Sequence, residues 1–178
     1  MTVLVAYASA YGSTRSIARR LASRLAEDGV RAEARDVESV HDLEAYEAYV
    51  VGSAVHGQAW LEPARRFVDS NLGVLKRRPV WVFSVGMPGA LRGPWKRLAP
   101  KEAPKLAESL PPAVEFHDHR LFSGVVARPQ LPRAARLLFR LMGGRFGDFR
   151  DWAAVDAWAD EIAHELARGG ARHGVPEP

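Results

Sequence analysis

The residues best suited to bind a ligand form one short loop near the N-terminus, Ser9-Ala10-Tyr11-Gly12-Ser13-Thr14. This first loop combines hydroxyl side chains with a single glycine, and a helical pattern follows it directly. Backbone N–H groups at a helix N-terminus point outward and carry the positive end of the helix dipole. The loop has neither a glycine-rich dinucleotide fingerprint nor a P-loop lysine. It therefore predicts a cradle for a terminal phosphate, with the alternative that Ser and Thr only cap the helix.

Two further segments rich in small residues follow predicted strands, Gly52–Trp60 and Ser84–Gly89. Small residues leave room for a planar ring, and Gly57 allows a peptide to face that ring. Ligands of parallel α/β sheets bind outside the carboxyl ends of the strands, so these segments should converge on the first loop. An ordinary tight turn would explain each segment separately. The residues predicted to complete the site are Ser53, Ala54, Val55, His56, Gly57, Ser84, Val85, Gly86 and Met87.

Two larger side chains in the second segment have open roles. His56 is a weak candidate for an acid–base group, and the alternative is an ordinary surface histidine. Trp60 can shield a bound ring, or it can pack under Pro63 and Phe67. The chain shows no Ser-His-Asp arrangement and no set of metal ligands, so we expect neither a catalytic triad nor a metal site.

A basic amphipathic stretch, Pro132–Met142, lies between the last predicted strand and the last predicted helix. Its position leaves three interpretations open. The helix can lie on an anionic membrane, it can cap an active site and bind carboxylates, or its apolar face can complete the core. A cluster near residue 95 supplies further candidate carboxylate partners. The candidate substrate-binding residues are Arg92, Lys96, Arg97, Arg133, Arg136 and Arg140.

Apolar runs and helical stripes alternate along the chain. Thr2–Ala8 predicts a buried strand, and the following helix carries Ile17, Leu21 and Leu25 at four-residue spacing before Gly29 ends it. Because the central strands are apolar throughout, the pattern predicts a doubly wound α/β fold with a parallel sheet of order 2-1-3-4-5. The remaining strands are predicted near Val30–Arg35, at Tyr49–Val51, at Val80–Val85 and within Val114–Val126, and two helices should begin near Pro63 and Asp151.

The length of 178 residues fits one domain, for which we expect residues 1–168. Residues 127–150 are an insertion before the last helix, because this connection is longer than an ordinary loop. The Gly- and Pro-rich tail, residues 169–178, is predicted to be disordered. The chain has no cysteine, which excludes disulfides, cysteine nucleophiles and cysteine-ligated clusters.

The net charge of +4 favours anionic partners but does not choose among them. Nucleic acid is not expected, because the aromatic residues are dispersed and form no stacking platform. No apolar stretch reaches the roughly 18 to 20 residues of a membrane span, and no basic segment precedes the first apolar run. We therefore expect a cytoplasmic protein, with contact to the inner face of the membrane through residues 132–142 as an open alternative.

The first loop resembles the phosphate loop of flavodoxins, because Ser9, Gly12 and Thr14 match that pattern while Tyr11 replaces its usual Thr or Ser. The two later segments resemble the loops that surround the flavin ring in the same superfamily. This resemblance implies a flavodoxin-like fold, a three-layer sandwich, with FMN as a non-covalent cofactor.

The stretches RLMGG, GDFRDW and AAVDAWADEIAHEL resemble the C-terminal part of the bacterial menaquinone-linked protoporphyrinogen oxidases and their actinobacterial relatives. The resemblance covers nearly the whole chain and is strongest at Gly144–Glu165. The resemblance implies oxidation of protoporphyrinogen IX, with electrons passing through FMN to a quinone. Two departures concern the short linker before Asp151-Trp152 and the proline-rich stretch Met87–Pro104. Arg150 is predicted to pair with neighbouring carboxylates and fix the entry to the last helix.

A flavodoxin-type electron carrier is the alternative function. Such carriers are acidic around the flavin, which steers basic partner proteins, whereas this chain is basic. A homo-oligomer is compatible with the sequence but not indicated by it.

Overall fold

The computed structural model describes residues 1–87, 90, 114–128, 133–141 and 143–172. Within them, five parallel strands form the central sheet in the order β2-β1-β3-β5-β6, which confirms the predicted flavodoxin-like topology. A short strand, β4, pairs antiparallel with β3. The sheet strands are β1 (Thr2–Ala8), β2 (Arg31–Asp36), β3 (Ala48–His56), β4 (Ala59–Trp60), β5 (Val80–Gly86) and β6 (His119–Ser123).

Helices cover both faces of the sheet because its inner strands are apolar on both faces. On one face, α1 and α5 pack in a cluster that includes Val5, Ile17 and Trp158. On the other, α2 contributes Phe67 to a second cluster, to which Leu75 of α3 also belongs. The helices are α1 (Ser13–Glu27), α2 (Glu62–Ser70), α3 (Leu72–Leu75), α4 (Arg133–Leu141) and α5 (Trp152–Arg172).

The predicted helix boundaries agree with local capping chemistry. Gly29 follows α1 with φ of 82°, and the N–H of Val30 donates to the carbonyl of Leu25 at 2.9 Å, so a glycine ends this helix as expected. At the start of α5, the Asp151 carboxylate accepts from the Ala154 N–H at 3.1 Å, as expected of an N-cap. Pro63 lies in the first turn of α2.

The last helix continues past the predicted boundary. Since α5 runs to Arg172, disorder is wrong for residues 169–172. Gly169 and Gly170 weaken a helix but keep their N–H donors, so they do not interrupt it as proline would. Residues 173–178 lie outside the described residues.

Two strands are longer than their apolar cores suggest. β3 continues to His56, well past the predicted end at Val51, and β5 continues one residue past Val85 to Gly86, so residues 52–56 and 86 belong to strands rather than loops. Gly52 illustrates the reason, because a Cβ there would lie 2.0 Å from Cζ of Phe83. This glycine therefore makes room for a neighbouring core ring within a strand.

The chain beyond β6 forms a small hairpin with a helix between its strands. β7 (Val125–Val126) pairs antiparallel with β8 (Gly147–Asp148), and α4 lies between them in sequence. Gly143 and Gly144 end α4, with N–H groups that donate to the carbonyls of Arg140 and Phe139. Among the described residues, no helix has both the length and the apolarity needed to cross a bilayer.

Candidate functional site

A pocket of about 360 Å³, here called the main pocket, opens at the carboxyl edge of the sheet. The first loop and the ends of β3 and β5 converge there because parallel strands end at the same edge. A fourth segment, at the start of β7, completes the wall. The lining residues are Ser9, Ala10, Tyr11, Ser13, Thr14, Ala54, Val55, His56, Gly57, Val85, Gly86, Met87, Gly124, Val125 and Val126.

The first loop turns into α1 through backbone hydrogen bonds and one glycine. Gly12 is the N-cap with φ of 89°, a conformation that disfavours residues with a Cβ. Its N–H donates to Oγ of Ser9 at 3.0 Å, while its carbonyl accepts from the N–H of Ser16. No side chain of the described residues caps α1. The alternative that Ser and Thr serve only as caps is therefore wrong, and the helix N-terminus faces the pocket.

Thr14 supplies the most specific sign of a missing ligand atom. The residue is 1% exposed, and its hydroxyl has no hydrogen-bond partner among the described residues. A buried hydroxyl without a partner is costly, so native proteins rarely retain one without a reason. An anion at this helix N-terminus would accept its proton and also gain from the helix dipole. These residues fit the phosphate of FMN.

The remainder of the main pocket suits a flat aromatic group. Its walls are mostly small or β-branched, and no Asp or Glu occurs among the described lining residues. At the rim, the rings of Tyr11 and His56 stack with centroids 5.9 Å apart. Tyr11 is 61% exposed. The pocket can therefore hold a phosphate at one end and an uncharged ring system at the other.

Three predicted site residues are not among those that line the pocket: Gly12, which is the N-cap of α1, and Ser53 and Ser84, which lie in the core. Ser53 and Ser84 are fully buried. The Ser53 hydroxyl accepts from the Leu61 N–H at 3.0 Å, and that of Ser84 accepts from the indole N–H of Trp60 at 2.8 Å. Both serines precede the strand residues that line the pocket, which begin at Ala54 in β3 and at Val85 in β5. Trp60 lies in the same buried cluster as Phe67, so of its two predicted roles it packs in the core and does not shield a bound ring.

Sequence reasoning missed the contribution of Gly124, Val125 and Val126. A Cβ at Gly124 would lie 3.0 Å from Cγ1 of Val85, and the Val125 N–H donates to Oγ of Ser13 at 3.1 Å. Glycine thus permits close approach to β5 and to α1. The sequence signal for this part of the wall is a glycine that directly follows an apolar strand. It could not be recognised because the sequence does not define where the fifth predicted strand ends.

A second cavity of about 270 Å³, here called the basic pocket, lies at α4. Leu137 and Leu141 of this helix are 64% and 76% exposed, so the interpretation that its apolar face completes the core is wrong for them. Phe139 anchors the helix instead, with its ring centroid 5.3 Å from that of Phe146. The basic pocket is lined by Arg128, Arg136, Leu137, Arg140 and Phe146.

The structure does not describe the side chains of the other predicted substrate partners. Arg133 belongs to α4 by its backbone. Arg92, Lys96 and Arg97 lie outside the described residues, as do Pro88 and Gly89 of the segment after β5.

Arg150 pairs with a neighbouring carboxylate, as predicted. Its Nε donates to Oδ1 of Asp148 at 2.8 Å, and its Nη2 donates to Oδ2. These hydrogen bonds hold the pKa of Asp148 below its ordinary value. The guanidinium also lies over the Trp152 ring, 4.8 Å from its centroid.

Known proteins resemble this chain at two levels. By sequence, it is 28% identical over 180 residues to protoporphyrinogen IX dehydrogenase [quinone] of Escherichia coli K12, covering 92% of this chain and 96% of that protein. By structure, it is similar to a flavodoxin from the domain Archaea (TM-score 0.59, 16% identity, 94% and 99% coverage). A Streptococcus pneumonia TIGR4 flavodoxin is similar too (TM-score 0.58, 15% identity, 93% and 99% coverage).

The family model described as the flavodoxin domain matches residues 4–147. The matched region includes every residue that lines the main pocket. The chain therefore belongs to the flavodoxin domain family, and this membership implies that it binds FMN.

Proposed function

We propose that this protein is an FMN-dependent oxidoreductase that oxidises protoporphyrinogen IX, or a related reduced substrate, and passes the electrons to a quinone. The observation that carries the proposal is the similarity to the E. coli quinone-dependent dehydrogenase, which spans 92% of this chain and 96% of that protein. The name of that relative specifies protoporphyrinogen IX and a quinone, and we propose the same substrate and acceptor for this chain.

FMN supplies the electron-transfer chemistry, and the chain supplies binding, orientation and a proton route. The first turn of α1 and the Thr14 hydroxyl would hold the phosphate. Val85 and Val125 belong to the apolar wall that excludes water from the ring. Besides Tyr11, His56 is the titratable side chain among the described lining residues, so it is our candidate to move a proton at the rim.

The basic pocket is the proposed site for the carboxylates of the substrate. Arg128, Arg136 and Arg140 surround an apolar floor that contains Phe146, and the Arg140 guanidinium lies 5.7 Å from the centroid of that ring. Arginine pairs strongly with carboxylates, while the aromatic ring suits a flat apolar body. The chemistry fits a tetrapyrrole with propionate groups. Arg92, Lys96, Arg97 and Arg133 remain candidates for the same role.

Replacing Arg140 and Arg136 tests this assignment. We expect R140Q and R136Q each to raise the KM for protoporphyrinogen IX about 10- to 100-fold, because each removes a charged hydrogen-bond partner worth about 1.5–3 kcal/mol. The Kd for FMN should not change. Arg65, paired with Glu62 on the surface of α2, provides a matched control as R65Q. An unchanged KM in both pocket variants would refute the carboxylate site.

The exposed leucines of α4 support a second part of the proposal, peripheral contact with the inner face of the membrane. Leu137 and Leu141 expose an apolar surface beside arginines, which is the pattern of a helix lying on an anionic bilayer. Quinones dissolve in that bilayer, so such contact would bring the acceptor to the flavin. We expect co-sedimentation with anionic vesicles that falls in L141E; binding unchanged by L141E, or equal on neutral vesicles, would contradict this contact.

The alternative is a flavodoxin-type electron-transfer protein, which the structural likeness to flavodoxins favours. The absence of acidic side chains from the described pocket lining argues for an acidic redox partner in that case. Bound FMN without porphyrin formation would favour this alternative.

A further inference from the structure

The small hairpin of β7 and β8, together with Arg150 just after it, contacts the first turn of α1 at two points. At the first, the Val125 N–H of β7 donates to Oγ of Ser13. At the second, Nη1 of Arg150 donates to Oγ of Ser16 at 2.7 Å. Val125 pairs in register with Asp148, the residue that holds Arg150, so both contacts come from one rigid unit.

The Arg150 side chain is fixed on three sides. Asp148 accepts from two of its nitrogens, the Trp152 ring stacks against the guanidinium, and 21% of the side chain is exposed. The remaining Nη1 faces α1 and reaches Ser16. The ion pair is therefore oriented so that Arg150, and not Asp148, faces α1.

The contact is relayed to the backbone of the first loop. The Ser16 hydroxyl has one proton, and it donates that proton to the Ser13 carbonyl at 2.7 Å. Accepting from Arg150 fixes the hydroxyl in this direction. The N–H of Ser16 also bonds the Gly12 carbonyl, so Ser16 is tied to both residues that precede Thr14.

We propose that Arg150 is a positioning residue for the phosphate of FMN, acting through Ser16 to hold the donors of the first loop in place. Arg150 does not line the main pocket, so it acts without touching the cofactor. The proposal predicts different effects on the binding of two flavins. FMN has a phosphate that these donors bind, whereas riboflavin has no phosphate and gains nothing from them. The proposal concerns the cofactor site and is independent of the substrate.

The test compares the Kd values of the apo-protein for FMN and for riboflavin. We expect R150Q to weaken FMN about tenfold, equivalent to one charged hydrogen bond, and to leave riboflavin unchanged. S16A, which removes the acceptor, should give the same pattern. The double variant should be no weaker than either single variant, because the two changes break one relay.

Arg120 offers a matched control, since it pairs with a carboxylate two residues earlier, Asp118, and with Glu161 on α5, but is not part of the main pocket. R120Q should keep the full preference for FMN. Inorganic phosphate provides a flavin-free measurement: it should raise the unfolding temperature of the wild-type apo-protein more than that of R150Q or S16A.

Two results would overturn the proposal. Equal loss of FMN and riboflavin affinity in S16A and R150Q would show a merely structural role. Full retention of the FMN preference in both variants would show that the relay does not reach the phosphate. S16A keeps the ion pair intact, so it decides the question even if R150Q fails to fold.

Discussion

At the scale of single residues, Thr14 carries the strongest argument for a bound anion. Its hydroxyl is buried and has no hydrogen-bond partner in the part of the chain that the structure describes, so it contributes nothing to the stability of the apo-protein. T14V should therefore leave the unfolding temperature of the apo-protein equal or higher, while the Kd for FMN rises about 10- to 100-fold.

Flavin fluorescence quenching and thermal unfolding check the two halves of the Thr14 prediction. T14S, which keeps the hydroxyl, is the control and should bind FMN more tightly than T14V. Unchanged FMN affinity in T14V would show that the hydroxyl does not face the phosphate.

Gly52 belongs to the core rather than to the flavin site. A Cβ there would collide with the Phe83 ring at 2.0 Å, so G52A should lower the free energy of unfolding by about 1–3 kcal/mol. G73A is the matched control, because nothing lies within 4 Å of a Cβ at Gly73 in α3, and helical alanine should be neutral or stabilising. Chemical denaturation measures both, and equal stability of G52A and the wild type would contradict the close packing.

At the scale of secondary-structure elements, salt bridges tie α1 to α5. Arg20 donates to both carboxylate oxygens of Asp156 at 2.6 Å, and Arg24 bonds Asp160 at 2.6 Å. The hydrogen bonds from Arg20 hold the pKa of Asp156 below its ordinary value. The pairs join the first and last helices on the face where Ile17 and Trp158 pack.

The sign of the pH dependence follows from that lowered pKa. The folded state binds the Asp156 proton less tightly than the unfolded state, so the pair stabilises the protein above about pH 4 and loses this effect as the pH falls through the folded pKa. D156N should therefore lower the unfolding temperature at pH 7, with a difference that shrinks in acid. A difference that grows in acid would contradict the sign.

The element order was predictable because uninterrupted apolar runs and four-residue stripes are strong signals. The ends of the strands were harder to predict. Gly52 and Ser53 are residue types common in turns, yet both belong to β3, because Gly52 packs against the Phe83 ring and the Ser53 hydroxyl accepts from the Leu61 N–H. The first loop was predictable from its hydroxyls and glycine. The wall at Gly124 was not, because its position depends on contacts between distant segments.

At the scale of the whole molecule, the chain is basic, whereas flavodoxin-type electron carriers are expected to be acidic around the flavin. The net charge is +4, and the basic pocket places several arginines around an aromatic floor. Binding of an anionic substrate there should weaken as ionic strength rises, because screening reduces exposed charge interactions. We expect the KM for protoporphyrinogen IX to rise between low and high salt, while kcat changes less; a salt-independent KM in steady-state assays would contradict charge-based recognition.

We propose that FMN in the main pocket carries electrons from a reduced tetrapyrrole to a quinone. The most direct measurement is anaerobic oxidation of protoporphyrinogen IX by the FMN-loaded protein, followed by porphyrin fluorescence with and without a menaquinone analogue. We predict porphyrin formation that requires both the FMN-loaded protein and the quinone. A protein that binds FMN but forms no porphyrin above the protein-free rate would contradict the proposed substrate.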